Sequence, residues 1–159
     1  MLDFEDMSRE VIAMDTRRRL LIVAGFIAMA GLVTTASFGA DMGMMAATQL
    51  KTAVGQAKAA QKAASLSVVK EHLQTIVNCI EGPKGAMFKA MGTNPCQGNG
   101  LLADAKDAGG RYAQVTPWVE LANENAAAGL KATTIEKAKA AGWAVQNLLE
   151  HAEKAVMGQ

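Results

Sequence analysis

Aromatic side chains are few in this chain, and neither sign of charge is in large excess. Phe, Trp and Tyr make up 4% of the 159 residues, and the formal net charge at pH 7 is +1. A nucleic-acid-binding domain shows a strong basic excess with aromatics interleaved, so this composition argues against that class. The apolar half of the chain is mostly Ala, Met, Val and Leu, which favours one helical domain over a β-sandwich.

Histidine and cysteine are equally scarce, with two residues of each type. With only two histidines, the chain can supply few imidazole ligands to a metal centre and few imidazole groups for acid–base catalysis. The cysteines, Cys79 and Cys96, do not form a CxxC motif, which argues against a thioredoxin-like redox site. The sequence also has no CxxCH motif, so it offers no attachment site for a covalent haem.

A recognisable catalytic constellation is missing as well. No nucleophile stands with a candidate base, and the Gly98–Gly100 turn is too short for a phosphate-binding loop. Glu120 with Glu124 and Glu150 with Glu153 have helical spacing, but on alanine-rich helices we interpret these carboxylates as solvent-facing. We therefore expect a protein that is not an enzyme.

The first forty residues have the order of a cleavable export signal. Arg17 to Arg19 directly precede an apolar run from Leu20 to Val33, and small residues follow as far as Ala40. We predict that residues 1–40 are an N-terminal extension and signal peptide, with Met14 as an alternative start. Residues 41–159 are then the mature helical domain.

An uncleaved membrane anchor is the alternative interpretation of the same segment. The stretch from Leu20 to Phe38 is just long enough to span a bilayer, although Gly25 and Gly31 weaken it as a span. Both interpretations place the rest of the chain outside the cytoplasm, in the periplasm or at the cell surface. Contact with a membrane is then expected only through this segment, and only if it is retained.

Export determines the expected state of the two cysteines. In an oxidising compartment a bond between Cys79 and Cys96 is the default, because they are the only cysteines. Closing a loop of this size stabilises a domain by about 3 kcal/mol in the chain-entropy model. The sequence therefore predicts a disulfide that staples the glycine-rich segment between its helices.

Hydrophobic periodicity predicts an all-α fold, a small up-and-down four-helix bundle with one disulfide-stapled loop, preceded by the signal segment. Ser65 and Ser67 are both candidate caps of the second helix, Thr116 is a predicted N-cap before a helix-starting proline, and Thr133 with Glu136 forms a predicted capping box. The predicted helices cover residues 44–64, 65–82, 101–108, 116–129 and 133–156. A loop over 82–100 contains a predicted helical turn at 86–91.

A soft-metal site is the leading alternative to a site without a cofactor. On an ideal helix, His72 lies about 20° from Cys79 and therefore faces the predicted loop. Met87 and Met91 share one side if residues 86–91 form a helical turn, and thioether with imidazole suits Cu(I). The more ordinary interpretation is a hydrogen-bonded histidine with methionines filling the core, and base rates favour it.

Methionines at the start of the predicted mature chain allow two further interpretations. Met42, Met44 and Met45 could bind copper, or could simply begin an apolar helix. Met44 or Met45 with His151 also has the order of axial ligands in bundles that hold a non-covalent haem b. Helical geometry turns His151 about 140° from the buried seam of the last helix, which disfavours haem. We expect no resident cofactor, with copper or haem b as alternatives.

Lysines on the first two helices form the one asymmetry of charge. Lys51, Lys58, Lys62 and Lys70 occur between residues 44 and 70, where there is no acidic residue until Glu71. This pattern suits docking to an anionic surface or to an acidic partner through the first helix, but an ordinary solvated helix face is the favoured interpretation, because four charges over about six turns make a weak field. Trp118 and Trp143 are expected to be buried anchors between helices. The function predicted overall is non-enzymatic binding or a structural role in an exported protein.

Overall fold

The computed structural model describes residues 40–92 and 94–158. The predicted signal segment and its anchor alternative lie outside these residues, apart from Ala40. Within the described ranges, no helix combines the length and apolar character that crossing a membrane requires.

The described residues contain six helices and no strand, which confirms the all-α prediction. The first helix, α1, covers residues 40–62 of the described chain. The others are α2 (Leu66–Glu81), α3 (Leu101–Ala108), α4 (Gly110–Gln114), α5 (Thr116–Leu130) and α6 (Ile135–Met157). The four long helices α1, α2, α5 and α6 contribute to one hydrophobic core. Residues 82–100, followed by α3 and α4, connect α2 to α5.

Small residues let the long helices approach closely. Gly129 of α5 lies against Leu73 of α2, and an added Cβ would come 2.6 Å from Leu73 Cδ1 and 2.8 Å from the Ala141 Cβ of α6. At Gly142 of α6, an added Cβ would lie 3.4 Å from the Ala60 Cβ of α1. The buried seam predicted for the last helix is confirmed through Ala138, Gly142, Val145, Leu149 and Ala152, and its one glycine, Gly142, is a contact with α1.

Two of the predicted helix starts are displaced by one residue. Ser65 caps α2 as predicted, and its hydroxyl accepts from the Val68 N–H. On α6 the capping residue is Thr134, whose hydroxyl accepts from the Lys137 N–H, so the capping box at Thr133 is wrong. Thr116 is already inside α5 and donates to the Ala113 carbonyl, because the unpredicted α4 runs almost directly into α5 and leaves no extended residue to act as a cap.

The two tryptophans have different environments. Trp118 packs against the core, as predicted, and meets the His151 ring edge-to-face with centroids 4.5 Å apart. Trp143 is 62% exposed, so the prediction of a buried anchor is wrong for this residue. The reason is its position on α6: the buried seam runs through Gly142 and Val145, and Trp143 lies on the opposite side of the helix.

Candidate functional site

The disulfide predicted from the sequence is present and closes the loop that follows α2. Cys79 is fully buried, and its Cα lies 5.1 Å from that of Cys96, within the usual range for a disulfide. Residues 82–100, called the stapled loop from here on, begin and end at Gly82 and Gly100. Both glycines have positive φ, 70° and 104°, and each would clash with backbone at the other end of the loop if it carried a Cβ.

Three side chains of α2 hold the first half of the stapled loop. The Gln74 amide donates to the Met87 carbonyl at 2.9 Å, and the Glu81 carboxylate accepts from the Met87 N–H at 2.7 Å. Asn78 bonds both backbone groups of Lys89, donating to its carbonyl at 2.7 Å and accepting from its N–H at 3.0 Å. Backbone groups of the loop are thus satisfied by buried side chains.

The helical turn predicted over residues 86–91 is wrong. Residues 88–91 have no regular structure, and a single turn closes before them, where the Phe88 N–H donates to the Gly85 carbonyl. A helical turn would use the backbone groups of Met87 and Lys89 internally. Because Asn78 and its neighbours on α2 bond these groups instead, the segment lies extended along α2.

A buried carboxylate holds the second half of the stapled loop. Asp104 of α3 is 0% exposed and accepts from the Gln49 side-chain amide at 2.8 Å. It also accepts from the backbone N–H and side-chain amide of Asn99, at 3.2 and 3.3 Å. The Gln49 amide donates in addition to the Gln97 carbonyl. These donors are neutral amides, so a set of hydrogen bonds rather than an ion pair compensates the buried carboxylate.

A further hydrogen bond ties α5 to the same end of the fold. The Asn123 side-chain amide donates to the second oxygen of Glu81 at 2.7 Å, so both oxygens of that carboxylate are engaged. Two buried acceptors have no hydrogen-bond partner among the described residues, namely Gln49 Oε1 and Asn123 Oδ1. An unpartnered buried oxygen is costly, which marks both positions as places where an added donor would stabilise the protein.

Two grooves flank the stapled loop. The first, called the loop groove, has a volume of about 260 Å³ and lies between α1 and the stapled loop. The second has a volume of about 360 Å³ and lies on the other side, where Glu81, Lys84 and Asp107 line it. In the loop groove Met44 is 66% exposed and Met45 is 42% exposed. The loop groove is lined by Met44, Met45, Thr48, Gln49, Thr52, Pro95, Cys96 and Gln97.

The residues of the predicted copper site are distributed around α2. His72 is half-buried, and its Nδ1 lies 2.7 Å from the Gln56 Oε1 of α1. Met87 is held by Gln74 and Glu81, which leave α2 at about 200° and 180° from His72 on an ideal helix. The structure therefore anchors His72 and the backbone of Met87 on opposite sides of α2, and Met91 lies in the loop.

The described residues contain no cluster of the common metal-binding side chains His, Cys, Asp and Glu. Within residues 40–92 and 94–158, no three His, Cys, Asp or Glu side chains are placed to hold a metal ion. His151 is exposed on α6 and contacts Trp118, whereas Met44 and Met45 lie at the loop groove. The structure shows no contact among the described residues that would pair either methionine with His151.

The lysine-bearing first helix makes one ion pair with α6. Lys58 Nζ lies 2.9 Å from a Glu150 carboxylate oxygen. The Lys58 hydrogen bond, assisted by one from Gln146, lowers the pKa of Glu150 below its ordinary value. Glu150 is half-buried, so its interpretation as a freely solvated carboxylate is wrong.

The polar residues that anchor the loop were not among the candidates from the sequence. Gln49 and Asn78 could nevertheless have been found from the sequence. Each is a polar residue within a buried helical stripe, beside Leu50 and Cys79 respectively, and such a residue usually has a hydrogen-bond partner. The role of Asp104 could not have been predicted from the sequence, since a carboxylate in a short helix is usually exposed. Comparisons of the chain with protein-family models, curated proteins and solved structures give no match.

Proposed function

We propose that this chain is an exported, non-enzymatic binding protein, with a signal segment in residues 1–40 and an up-and-down four-helix bundle in residues 41–159. The periplasm or the cell surface is its proposed location. Disulfides form and persist in oxidising compartments, so the Cys79–Cys96 bond indicates a location outside the cytoplasm. The proposed binding surface is the stapled loop together with the loop groove.

The observation that carries this proposal is the double anchoring of the stapled loop beside exposed methionines. The disulfide and the Asp104 contacts fix one half, and side chains of α2 fix the other. A surface held in place before binding loses less conformational freedom when a ligand arrives. Met44 and Met45 are flexible and polarizable, so they suit an apolar ligand of variable shape.

The carboxylates near the loop support a role without catalysis. Both Glu81 oxygens accept hydrogen bonds from Met87 and Asn123, and Asp104 accepts from Gln49 and Asn99. A general base must present a free oxygen to its substrate. Because these carboxylates are committed to the loop, we assign them to its positioning.

Binding at the loop groove is tested with Nile red, a neutral apolar dye. We expect saturable fluorescence enhancement with the oxidised protein, weakened in a Met44→Gln/Met45→Gln variant. Met157→Gln is the matched control, because Met157 is 56% exposed at the end of α6 and does not line this groove. Equal dye binding by the double variant and the wild type would contradict the assignment of the groove.

The alternative functions are a Cu(I) site at His72, Met87 and Met91 and a non-covalent haem b. One intact mass spectrum under non-denaturing conditions, on protein purified from its own compartment, tests both together with export. We expect a chain cleaved near Ala40, two hydrogens lighter than the reduced form, with no added mass. A copper or haem increment would favour the alternative, and a mass that retains Leu20 to Phe38 would favour the anchor.

A further inference from the structure

The exposed side of α1 forms a straight stripe that contains no acidic residue from Met44 to Lys62, although the exposed Asp41 precedes it by one turn. Met44, Thr48, Lys51, Gly55, Lys58 and Lys62 follow one another at alternating spacings of four and three, and all are exposed. The opposite side of α1 is buried, with Leu50, Val54 and Ala57 in the core. The helix is therefore amphipathic, and the second half of its outer face carries Lys51, Lys58 and Lys62, of which Lys58 is paired with Glu150 of α6.

Trp143 lies beside this stripe. On an ideal helix Trp143 and Glu150, seven residues apart, differ by about 20° in direction, and Glu150 bonds Lys58 of α1. Trp143 therefore leaves α6 on nearly the same side as Glu150, on the outer surface of the helix. Gly142, the residue before Trp143, packs on Ala60 of α1, and Lys62 is exposed two residues after Ala60.

We propose that this surface, the basic face, docks on an anionic lipid surface. The basic face comprises the α1 stripe from Met44 to Lys62 with Trp143. Trp favours the interface between lipid and water, where its ring is half-buried and its N–H stays hydrated. Lysines flanking it can lay their alkyl chains on the lipid while their ammonium groups reach anionic headgroups.

The charge and shape of the basic face favour an anionic lipid surface over a second copy of the chain or a protein partner. Docking of a second copy through the same face would bring Lys51 and Lys62 against lysines of the other copy, which is repulsive. Both grooves described above flank the stapled loop, away from Trp143. Met44 and Thr48 also line the loop groove, but the row from Lys51 to Lys62 lines neither groove and suits a planar lipid surface better than a protein partner, which relies on anchors that fill pockets.

The test is sedimentation of the purified full chain with vesicles of phosphatidylglycerol or of phosphatidylcholine. We expect stronger binding to the anionic vesicles, weakened by salt. Lys51→Gln/Lys62→Gln should weaken this binding by about fivefold for each lysine. Trp143→Ser should weaken it several-fold. A retained N-terminal segment, with Arg17 to Arg19 before its apolar run, would itself favour the anionic vesicles, but equally in all variants, so the comparison between variants decides.

Lys84→Gln/Lys106→Gln is the matched control, because both lysines are exposed in the stapled loop and α3 and the change in net charge is the same. This control should bind anionic vesicles as the wild type does. Equal binding to both vesicle types, or equal losses in the two lysine variants, would overturn the proposal. Binding to polyglutamate without binding to phosphatidylglycerol would also overturn it and assign the face to an acidic protein. Nile red binding tests the loop groove separately, so failure of the lipid-docking proposal would not decide the proposed function.

Discussion

Asp104 accepts a hydrogen bond from the side chain of Gln49 at 2.8 Å, across 55 residues of sequence, and both residues are buried. This contact joins the start of α1 to α3 and, through Asn99 and Gln97, to the stapled loop. A completely buried carboxylate without a cation is uncommon in a small helical domain. Removal of this carboxylate should therefore weaken contacts among α1, α3 and the stapled loop.

Asp104→Ala should lower the free energy of unfolding by about 1–3 kcal/mol, because the buried Gln49 amide loses one of its two acceptors and the exposed Asn99 loses its contacts with α3. Equilibrium unfolding in urea measures the change. Asp107→Ala is the control on the same helix, and since Asp107 is exposed the expected change is within about 0.5 kcal/mol. Equal effects of the two substitutions would show that the buried contacts contribute nothing.

Replacing both cysteines by alanine should lower the stability by about 3 kcal/mol in the chain-entropy model. It should also loosen the stapled loop, because Cys96 then loses its link to the buried Cys79. Limited trypsin digestion detects the second effect as faster cleavage after Lys89, compared with Lys51 within α1. Unchanged cleavage after Lys89 would mean that the side chains of α2 alone are sufficient to hold this part of the loop.

Lys58→Gln should raise the pKa of Glu150 toward its ordinary value, because the Lys58 hydrogen bond is the main cause of its depression. Carbon-detected NMR titration of the Glu150 carboxyl measures the shift. Lys154→Gln removes only a weak charge effect and should produce a smaller change. An equal shift in both variants would show that general charge, rather than the ion pair, lowers the pKa.

The same pair predicts a pH dependence of stability. Because the folded pKa of Glu150 is depressed, its contribution is present above the unfolded pKa of about 4.3 and is lost as pH falls through the folded value. The side chains of Lys58 and Glu150 are 51% and 27% exposed, so the contribution is no more than about 1 kcal/mol. Urea unfolding of the wild type and of Lys58→Gln should therefore converge at acidic pH.

Two glycine substitutions should have opposite signs. Gly129→Ala should destabilise by about 1–3 kcal/mol, because its Cβ would press on Leu73 and Ala141. Gly55→Ala should stabilise by about 0.5–1 kcal/mol, because Gly55 is exposed within α1 and nothing lies within 4 Å of the added Cβ. Thermal unfolding of both variants checks the pair, and a destabilising Gly55→Ala would mean that α1 packs more tightly there than described.

The sequence predicts the fold well where the signal is local. The α3 boundaries, the Ser65 cap and the end of α2 before Gly82 follow from residues adjacent in the chain, and the structure confirms them. The disulfide could be predicted because Cys79 and Cys96 have no other partners. The caps predicted at Thr133 and Thr116 were each wrong by one residue, because Thr134 competes with Thr133 and because α4 ends directly before Val115, the residue that precedes α5.

The candidate site depends instead on contacts between distant residues. Gln49 meets Asp104 and Glu81 meets Asn123 over 55 and 42 residues, and no local pattern pairs a given amide with a given carboxylate. The prediction that Met87 and Met91 share one side used helical geometry for residues 86–91, a segment that is not helical. Trp143 was misplaced because aromatic residues usually lie in the core, and only its position relative to the Gly142 seam shows that it is exposed.

Gly82 and Gly100 are in contact, so the length and sequence of the segment between them can vary without moving the helices. Since the two ends of the stapled loop touch, the spacing of the helices does not depend on how many residues lie between them. The entropy of closing such a loop changes by only about 0.6 kcal/mol for each doubling of its length. Insertions and altered sequences at its outer residues should therefore be tolerated, and the helices would serve as a fixed scaffold on which recognition is varied by grafting.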